Sequence, residues 1–410
     1  MPPSAYRWII VAVSASSNSL AWSVRSTFAL FYVALLGEFG WSRGQAALGY
    51  SLSWFLLIVF SPLAGWLHDR LGARAAVAAG GLLLGAGVFL TGRVHALWQY
   101  YLAFGVLGAA GIALIMMPTA AVTSGWFATR RGTALGIISA GASASAFIFY
   151  PLNAWLIQTL GWRGAMGAYG LLIALAVAPT AALLAPPPRP GEPPGPDGAA
   201  TTSPEEPEWT LAAALRTRQL WAAFAMWGFG VIGYQIMTTH QVAHALDRGF
   251  RPATVAWVFG LSGLFTTLGN LTGGALSDSW GRARVFGLGS LIGVAGIAVF
   301  AQLAGPDDLP RLVIYAVAGF GFGMRISLLS AIPADLFRGR SFGAILGVVN
   351  GGGGLGGLIG PSLGGYLFDR TGSYRVAFTV AALAIIASAG AAWMAARQSD
   401  RARGHPGGRG

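Results

Sequence analysis

The sequence predicts an all-α, polytopic membrane protein of twelve transmembrane helices, in two six-helix pseudo-symmetric halves around a central cavity. Three observations predict it. Of 410 residues, 55% are hydrophobic and only 10% charged, where a soluble domain carries about 25% charged residues. Twelve stretches reach the roughly 20 apolar residues that a bilayer crossing needs. One long polar segment divides those stretches six and six, and the two sets share motifs at a near-constant offset. The low charge excludes a water-facing enzyme, a nucleic-acid binder and a disordered chain.

The twelve spans cover roughly 8–35, 45–67, 74–92, 98–122, 132–157, 164–185, 219–241, 254–277, 284–303, 311–332, 341–366 and 374–396. The first lacks a cleavage pattern and is too long for a signal peptide, so it is expected to be a retained span. Residues 186–208 (PPPRPGEPPGPDGAATTSPEEPE) cannot bury a core and are expected to be a disordered linker. The expected domains are therefore 1–185, the linker 186–208, 209–397, and a tail at 398–410.

All 26 basic residues are Arg. Sixteen fall in one set of loops and termini, eight in the opposite set, and two, Arg25 and Arg325, inside spans. The positive-inside rule then places both termini and the linker in the cytoplasm, in an inner, cytoplasmic membrane. No Cys is present, which removes disulfides and thiolate chemistry. His240 and His244 are spaced i, i+4 without a metal-binding HExxH pattern. No metal, cofactor, catalytic constellation or nucleic-acid partner is expected.

The halves repeat. Gly65-Trp-Leu-His-Asp69-Arg70-Leu-Gly72-Ala-Arg74 follows span 2, and Gly274-Ala-Leu-Ser-Asp278-Ser-Trp-Gly281-Arg282-Ala-Arg284 follows span 8, 209 positions later. Pro151 with Gly161-Trp-Arg163 parallels Pro361 with Gly372-Ser-Tyr-Arg375, and Phe127 with Arg130 and Arg131 parallels Phe337 with Arg338 and Arg340. Duplicated halves are a transporter architecture with a midplane site. In the repeated loop, Gly65 is expected to let helices approach closely. Asp69 and Asp278 are expected to pair with Arg70, Arg74, Arg282 or Arg284 in a breakable latch.

These loops resemble the signature of the major facilitator superfamily, over nearly the whole chain outside linker and tail. The second copy has Ser279 where that family usually has Arg, which predicts a weaker latch. Within the superfamily the chain resembles the monocarboxylate and oxalate–formate transporter group. The residues that carry this are Val24-Arg25-Ser-Thr-Phe28, Glu38-Phe-Gly-Trp41-Ser-Arg43, Gly161-Trp-Arg163 and Ala334-Asp335-Leu-Phe337-Arg-Gly-Arg340-Ser-Phe342-Gly343. Members of the group often carry Arg after a Gly in span 8; here Asn270 follows Gly269. The resemblance implies that spans 1, 4, 7 and 10 line a cavity, so Arg25 and Arg325 fall on cavity-lining spans.

An Arg at the bilayer centre costs at least about 2.5–3.5 kcal/mol and usually faces a pathway or a partner. None of the 14 acids lies inside a span, so a substrate carboxylate is the expected counter-charge. Arg325 is expected to be the main anchor and Arg25 the second, with Tyr234 (the repeat position of Arg25) and Asn270 completing the site. His240 and His244, expected near the outer mouth, are the proton-coupling candidates. The glycine run Gly351–Gly354 with Gly356, Gly357, Gly360, Gly364 and Gly365 reads as tight helix contact, since no phosphate-loop GK[ST] follows.

The expected function is secondary active transport of a small mono- or dicarboxylate by alternating access, through proton symport or anion exchange, by a monomer in the lipid bilayer. Alternatives are a carrier of the same fold for another solute or drug, or an anion sensor that does not transport. The orientation has a direct check. Protease added to sealed right-side-out vesicles is expected to leave the 186–208 linker intact, and cleavage there overturns the 16-to-8 arginine argument.

Overall fold

The computed structural model describes residues 3–127, 131–185, 209–337 and 341–403. The expected linker, Arg130, Arg338, Arg340 and residues 404–410 lie outside the described residues. Described elements are helices: α1 (Pro3–Ser26), α2 (Phe28–Phe39), α3 (Arg43–Thr91), α4 (Leu97–Tyr100), α5 (Gly108–Trp126), α6 (Arg131–Thr180), α7 (Leu211–Leu215), α8 (Arg218–Asp247), α9 (Pro252–Trp280), α10 (Arg282–Phe300), α11 (Leu309–Leu336), α12 (Phe342–Thr371) and α13 (Arg375–Arg403). A π-helical turn, Tyr101–Leu107, joins α4 to α5.

Among the described residues, ten helical runs are long and apolar enough to cross a membrane. Two of them, α3 with 49 residues and α6 with 50, are each about 75 Å of helix at 1.5 Å per residue. That is more than twice the hydrocarbon thickness of about 30 Å. Both break at a left-handed glycine, Gly72 (φ 78°) and Gly161 (φ 67°), which a residue with a Cβ adopts only under strain. Each therefore supplies two crossings, and the total is twelve. α1 and α2 form the first span, interrupted at Thr27. α13 stays helical to Arg403, past the expected start of the tail.

The described positive-φ glycines reproduce the duplication. They are Gly40, Gly72 and Gly161 in the first half and Gly249, Gly281 and Gly372 in the second. Gly249 lies 209 positions after Gly40, Gly281 lies 209 after Gly72, and Gly372 lies 211 after Gly161. The Gly40–Gly249 pair, closing spans 1 and 7, was not visible as a motif because its neighbours differ. Chain contacts divide the protein into two compact units, Met1–Thr202 with Pro252–Gly260, and Ser203–Arg251 with Leu261–Gly410.

Packing inside each unit rests on small residues, since lipid provides no hydrophobic drive between helices. In the first unit Gly111 of α5 lies against the Leu84 backbone of α3, and Gly85 of α3 against Gly170 and Ala174 of α6. In the second, Gly352, Gly356, Gly360 and Gly364 stand one turn apart on α12 and face α8. A Cβ on Gly356 would meet Val231 Cβ at 3.1 Å and the Gly228 carbonyl closer still; one on Gly360 would meet Ile232 O at 2.9 Å. The same holds where Gly269 and Gly273 of α9 meet Phe320 and Met324 of α11, beside Gly319 and Gly323.

Gly356→Val is therefore expected to destabilise the second unit by about 1–3 kcal/mol, the usual result of overpacking. Gly347→Ala on the same helix, where a Cβ meets no atom within 4 Å, should leave the melting temperature unchanged or raised. Thermal unfolding of the detergent-purified variants checks both. Equal melting temperatures for the two would show that α12 and α8 are not held at backbone contact.

Candidate functional site

Arg25 sits in the last turn of α1, two residues before the interruption at Thr27. Thr27 Oγ1 donates to Ser23 O at 2.7 Å, a local bond that competes with helix continuation. Polar side chains gather around the break. Asn153 Nδ2 donates to Thr27 Oγ1 at 3.2 Å, Ser26 and Ser145 share a bond at 3.3 Å, and Tyr169 OH meets Ser23 Oγ. Arg25 itself is 3% exposed. Its Nη2 donates to Ser53 O on α3 at 2.9 Å, and its guanidinium lies 4.2 Å from the Trp54 ring centroid and 5.9 Å from that of Trp22. Nε and Nη1 are buried without an acceptor.

Arg325 of α11 is 4% exposed and lies in the interior of the second unit. Nη2 donates to Ser388 Oγ of α13 at 2.9 Å, and Ser388 passes its own hydrogen to Met226 O of α8 at 2.6 Å. The guanidinium stands 4.7 Å from the Phe286 ring of α10. Gly230 and Gly289 leave it room, since a Cβ on Gly230 would come within 2.9 Å of Nη2. Nε is buried without an acceptor. Arg325 thus ties α8, α10, α11 and α13 together, a bracing role that its sequence position did not reveal.

Tyr234 follows Gly230 by one turn on α8, is 37% exposed, and sets its ring 5.7 Å from Phe322, one turn before Arg325. Tyr234 and Arg325 therefore share the α8–α11 seam. Asn270 does not join them. Its backbone nitrogen faces Gly323, 2.8 Å from where a Cβ would be. Gly323 and Arg325 are two residues apart, so they point about 200° apart around α11.

The histidines are not at an open mouth. His240 is fully buried, with Nε2 2.9 Å from Pro361 O and Nδ1 3.3 Å from Tyr374 OH. The carbonyl can only accept, so Nε2 carries the hydrogen. His244 is 4% exposed and meets the rings of Phe300, Tyr374 and Phe378 at 5.1, 5.7 and 5.1 Å. Along α8 they lie about 15 and 21 Å beyond Gly230, the level of Arg325. They pack the half of the second unit toward the Asp247 end of α8.

The span ends carry the ion pairs. Arg282 at the start of α10 pairs with Asp278 of α9 at 2.6 Å and with Asp335 of α11 at 3.2 Å, so one guanidinium joins three helix ends. Ser279 has not left this loop without a bridge. In the first copy the expected pairing of Arg74 is corrected: its Nε donates to Leu184 O at 2.9 Å. Tyr6 OH and Trp126 Nε1 bond Leu183 O and Ala185 O in the same way, so three side chains satisfy the terminal carbonyls after span 6. Arg70 stacks on Trp66 at 4.2 Å. Asp69 and Arg284 are exposed. A Cβ on Gly65 would meet no atom within 4 Å, so Gly65 is not the close-approach residue; a Cβ on Gly274 reaches Ser327 Oγ only at 3.5 Å.

At the opposite ends of the first unit's spans, Arg163 pairs with Glu38 at 2.7 Å. Its Nη1 donates to Gly92 O at 3.1 Å and Val94 O at 3.0 Å. This clasp joins the end of span 1, the turn between spans 3 and 4, and the start of span 6. Among the described residues, no group of three or more His, Cys, Asp or Glu could hold a metal.

The Major Facilitator Superfamily model matches residues 11–250 and 236–410. The chain belongs to the major facilitator superfamily. Within it, the relatives place this superfamily member in the monocarboxylate transporter group. It is 30% identical to rat Monocarboxylate transporter 13 over 401 residues, covering 95% of this chain and 89% of that one. It is 28% identical to human Monocarboxylate transporter 11 over 404 residues, covering 94% and 82%. A crystal structure of a bacterial homolog to the human lysosomal transporter Spinster, inward-facing and occupied, shares the fold with a TM-score of 0.77 at 15% identity, over 98% of this chain and 99% of that one.

For a superfamily member with these loops, Arg282→Gln is expected to slow transport more than Asp278→Asn, because the latter leaves the Arg282–Asp335 pair intact. Asp69→Asn should slow turnover with little change in binding. Ion pairs open to solvent contribute about 0–1 kcal/mol to stability, and these are exposed or half-buried, so melting temperatures should move little. Uptake rates and affinities measured together in proteoliposomes check this, and a collapse of affinity in a folded variant contradicts a gating role.

Proposed function

We propose that this protein moves a small organic anion, a mono- or dicarboxylate, across the cytoplasmic membrane by alternating access. The halves 1–185 and 209–397, joined by 186–208 on the cytoplasmic side, are the proposed moving bodies. One observation carries the reading: Arg25 is buried in a span with two guanidinium nitrogens lacking an acceptor. The described acids lie at helix ends or in turns, and none of the sequence's 14 falls inside an expected span. A guanidinium does not shed its proton readily and cannot escape the cost by neutralising. A carboxylate supplies both charge and hydrogen-bond acceptors. The relatives' names support the class of substrate.

The order of the two arginines is reversed relative to the sequence argument. Arg25 takes the principal role because two of its nitrogens await an acceptor, against one for Arg325, which is tethered to Ser388. Tyr234 stays with Arg325 as a secondary contact; Asn270 has no support from its position. Anion exchange is the favoured coupling, since two fixed cations and no intramembrane acid need no titrating group. Proton symport would bring the proton on the substrate, because His240 and His244 lie about 15–21 Å along α8 from Arg325.

Binding of pyruvate, lactate and oxalate to purified variants, followed by thermal shift, tests the site. Arg25→Gln should weaken binding about tenfold to a hundredfold, the worth of one or two charge-assisted hydrogen bonds. Arg25→Lys should restore only part, since an ammonium lacks the planar fork. Arg325→Gln should weaken binding less and lower the melting temperature, because it removes the brace to Ser388. Full affinity in both glutamine variants, for every anion the wild type binds, removes the anion-site reading.

A further inference from the structure

We propose that the Trp54 indole N–H is a further donor of the anion site, and that Trp54 with Arg25 forms its carboxylate-selective half. This rests on the anion-site reading of Arg25. The stretch Ser53–Trp54 of α3 holds Arg25 in two ways: the Ser53 carbonyl takes Nη2 at 2.9 Å, and the Trp54 ring lies 4.2 Å from the guanidinium carbon. Trp22 meets the same indole at 5.9 Å, tilted by 57°. The orientation of the guanidinium is thereby set, with Nε and Nη1 left over.

Trp54 Nε1 is the second unmet demand. It too is buried without an acceptor. An indole nitrogen only donates, so nothing but an acceptor can satisfy it, and buried donors without one are rare because each forfeits its hydration. Orphaned donors on two adjacent side chains, from two different helices, therefore call for the same missing chemistry: a compact acceptor-only group. A carboxylate fits, with two oxygens and about four acceptor sites. More of these sites are met when the indole joins the guanidinium. A neutral donor also suits the place electrostatically. A second cation beside Arg25 would bury another costly charge, whereas an indole N–H adds a hydrogen bond without charge.

The test uses the full chain in detergent or proteoliposomes, with pyruvate as the probe, and separates ring from N–H. Trp54→Phe keeps an aromatic face for Arg25 and removes the donor. Trp54→His shrinks the ring but restores a ring N–H. The expected result is an affinity about tenfold weaker in Trp54→Phe, with the melting temperature of the ligand-free protein near that of the wild type, and partial recovery in Trp54→His. A packing role predicts the opposite order, since histidine fills the space less well than phenylalanine. Wild-type affinity in Trp54→Phe, or binding by Trp54→His no better than by Trp54→Phe, overturns the proposal. Should Trp54→Phe not fold, Trp54→His against Trp54→Leu makes the same comparison. Arg25→Gln is measured alongside. If it loses binding while Trp54→Phe does not, only the indole's role fails; if Arg25→Gln binds normally, the anion site itself fails.

Discussion

Hydrocarbon offers no hydrogen-bond partner, and every polar group that enters it must bring its own. For the backbone the α-helix settles the matter, which is why the described elements are helical. For a guanidinium it does not. Arg25 and Arg325 each find one acceptor within their own unit, Ser53 O and Ser388 Oγ, and lean on aromatic faces for the rest. The nitrogens left over, Nε and Nη1 of Arg25 and Nε of Arg325, are the basis of the proposed anion site.

The same lack of water explains why glycine dominates the helix contacts. Burying a leucine against a leucine gains little when lipid tails are equally apolar, so tight packing of backbone on backbone replaces it. The ladder of four glycines on α12 against α8 and the facing glycines of α9 and α11 are its clearest cases. Left-handed glycines do a different task, reversing the chain at the ends of spans 1, 2 and 5 and their repeats 7, 8 and 11. Two glycine populations thus serve one duplicated plan.

Apart from Arg25 and Arg325, the ion pairs of the described residues sit at span ends, where they link helices. Arg163 collects Glu38 and two turn carbonyls; Arg282 collects Asp278 and Asp335; Arg74 collects the carbonyl of Leu184. Apart from the Arg282–Asp278 pair, four residues apart, each contact joins segments distant in sequence within one unit. Together they keep each unit's helix ends in register, as the proposed alternating-access cycle requires of a moving body.

The amino-acid sequence by itself determined the class of the protein. Hydropathy windows need no knowledge of contacts, so the twelve spans, the duplicated loops and the two span-embedded arginines were all legible in it. It did not determine which way a side chain faces. A span that is apolar all round has no polar stripe to report its rotation, so Arg325 could be placed on span 10 but not against Ser388, and Asn270 could be placed on span 8 but not behind Gly323. His240 and His244 looked like mouth residues for the same reason, until α12 and α13 closed over them. Partners 28, 63 and 110 positions apart, such as Arg25 with Ser53, Arg325 with Ser388 and Arg74 with Leu184, exist only once helix rotation is set. That rotation is decided by glycine-to-backbone fit in the packed bundle, a property of the tertiary structure and of no single span.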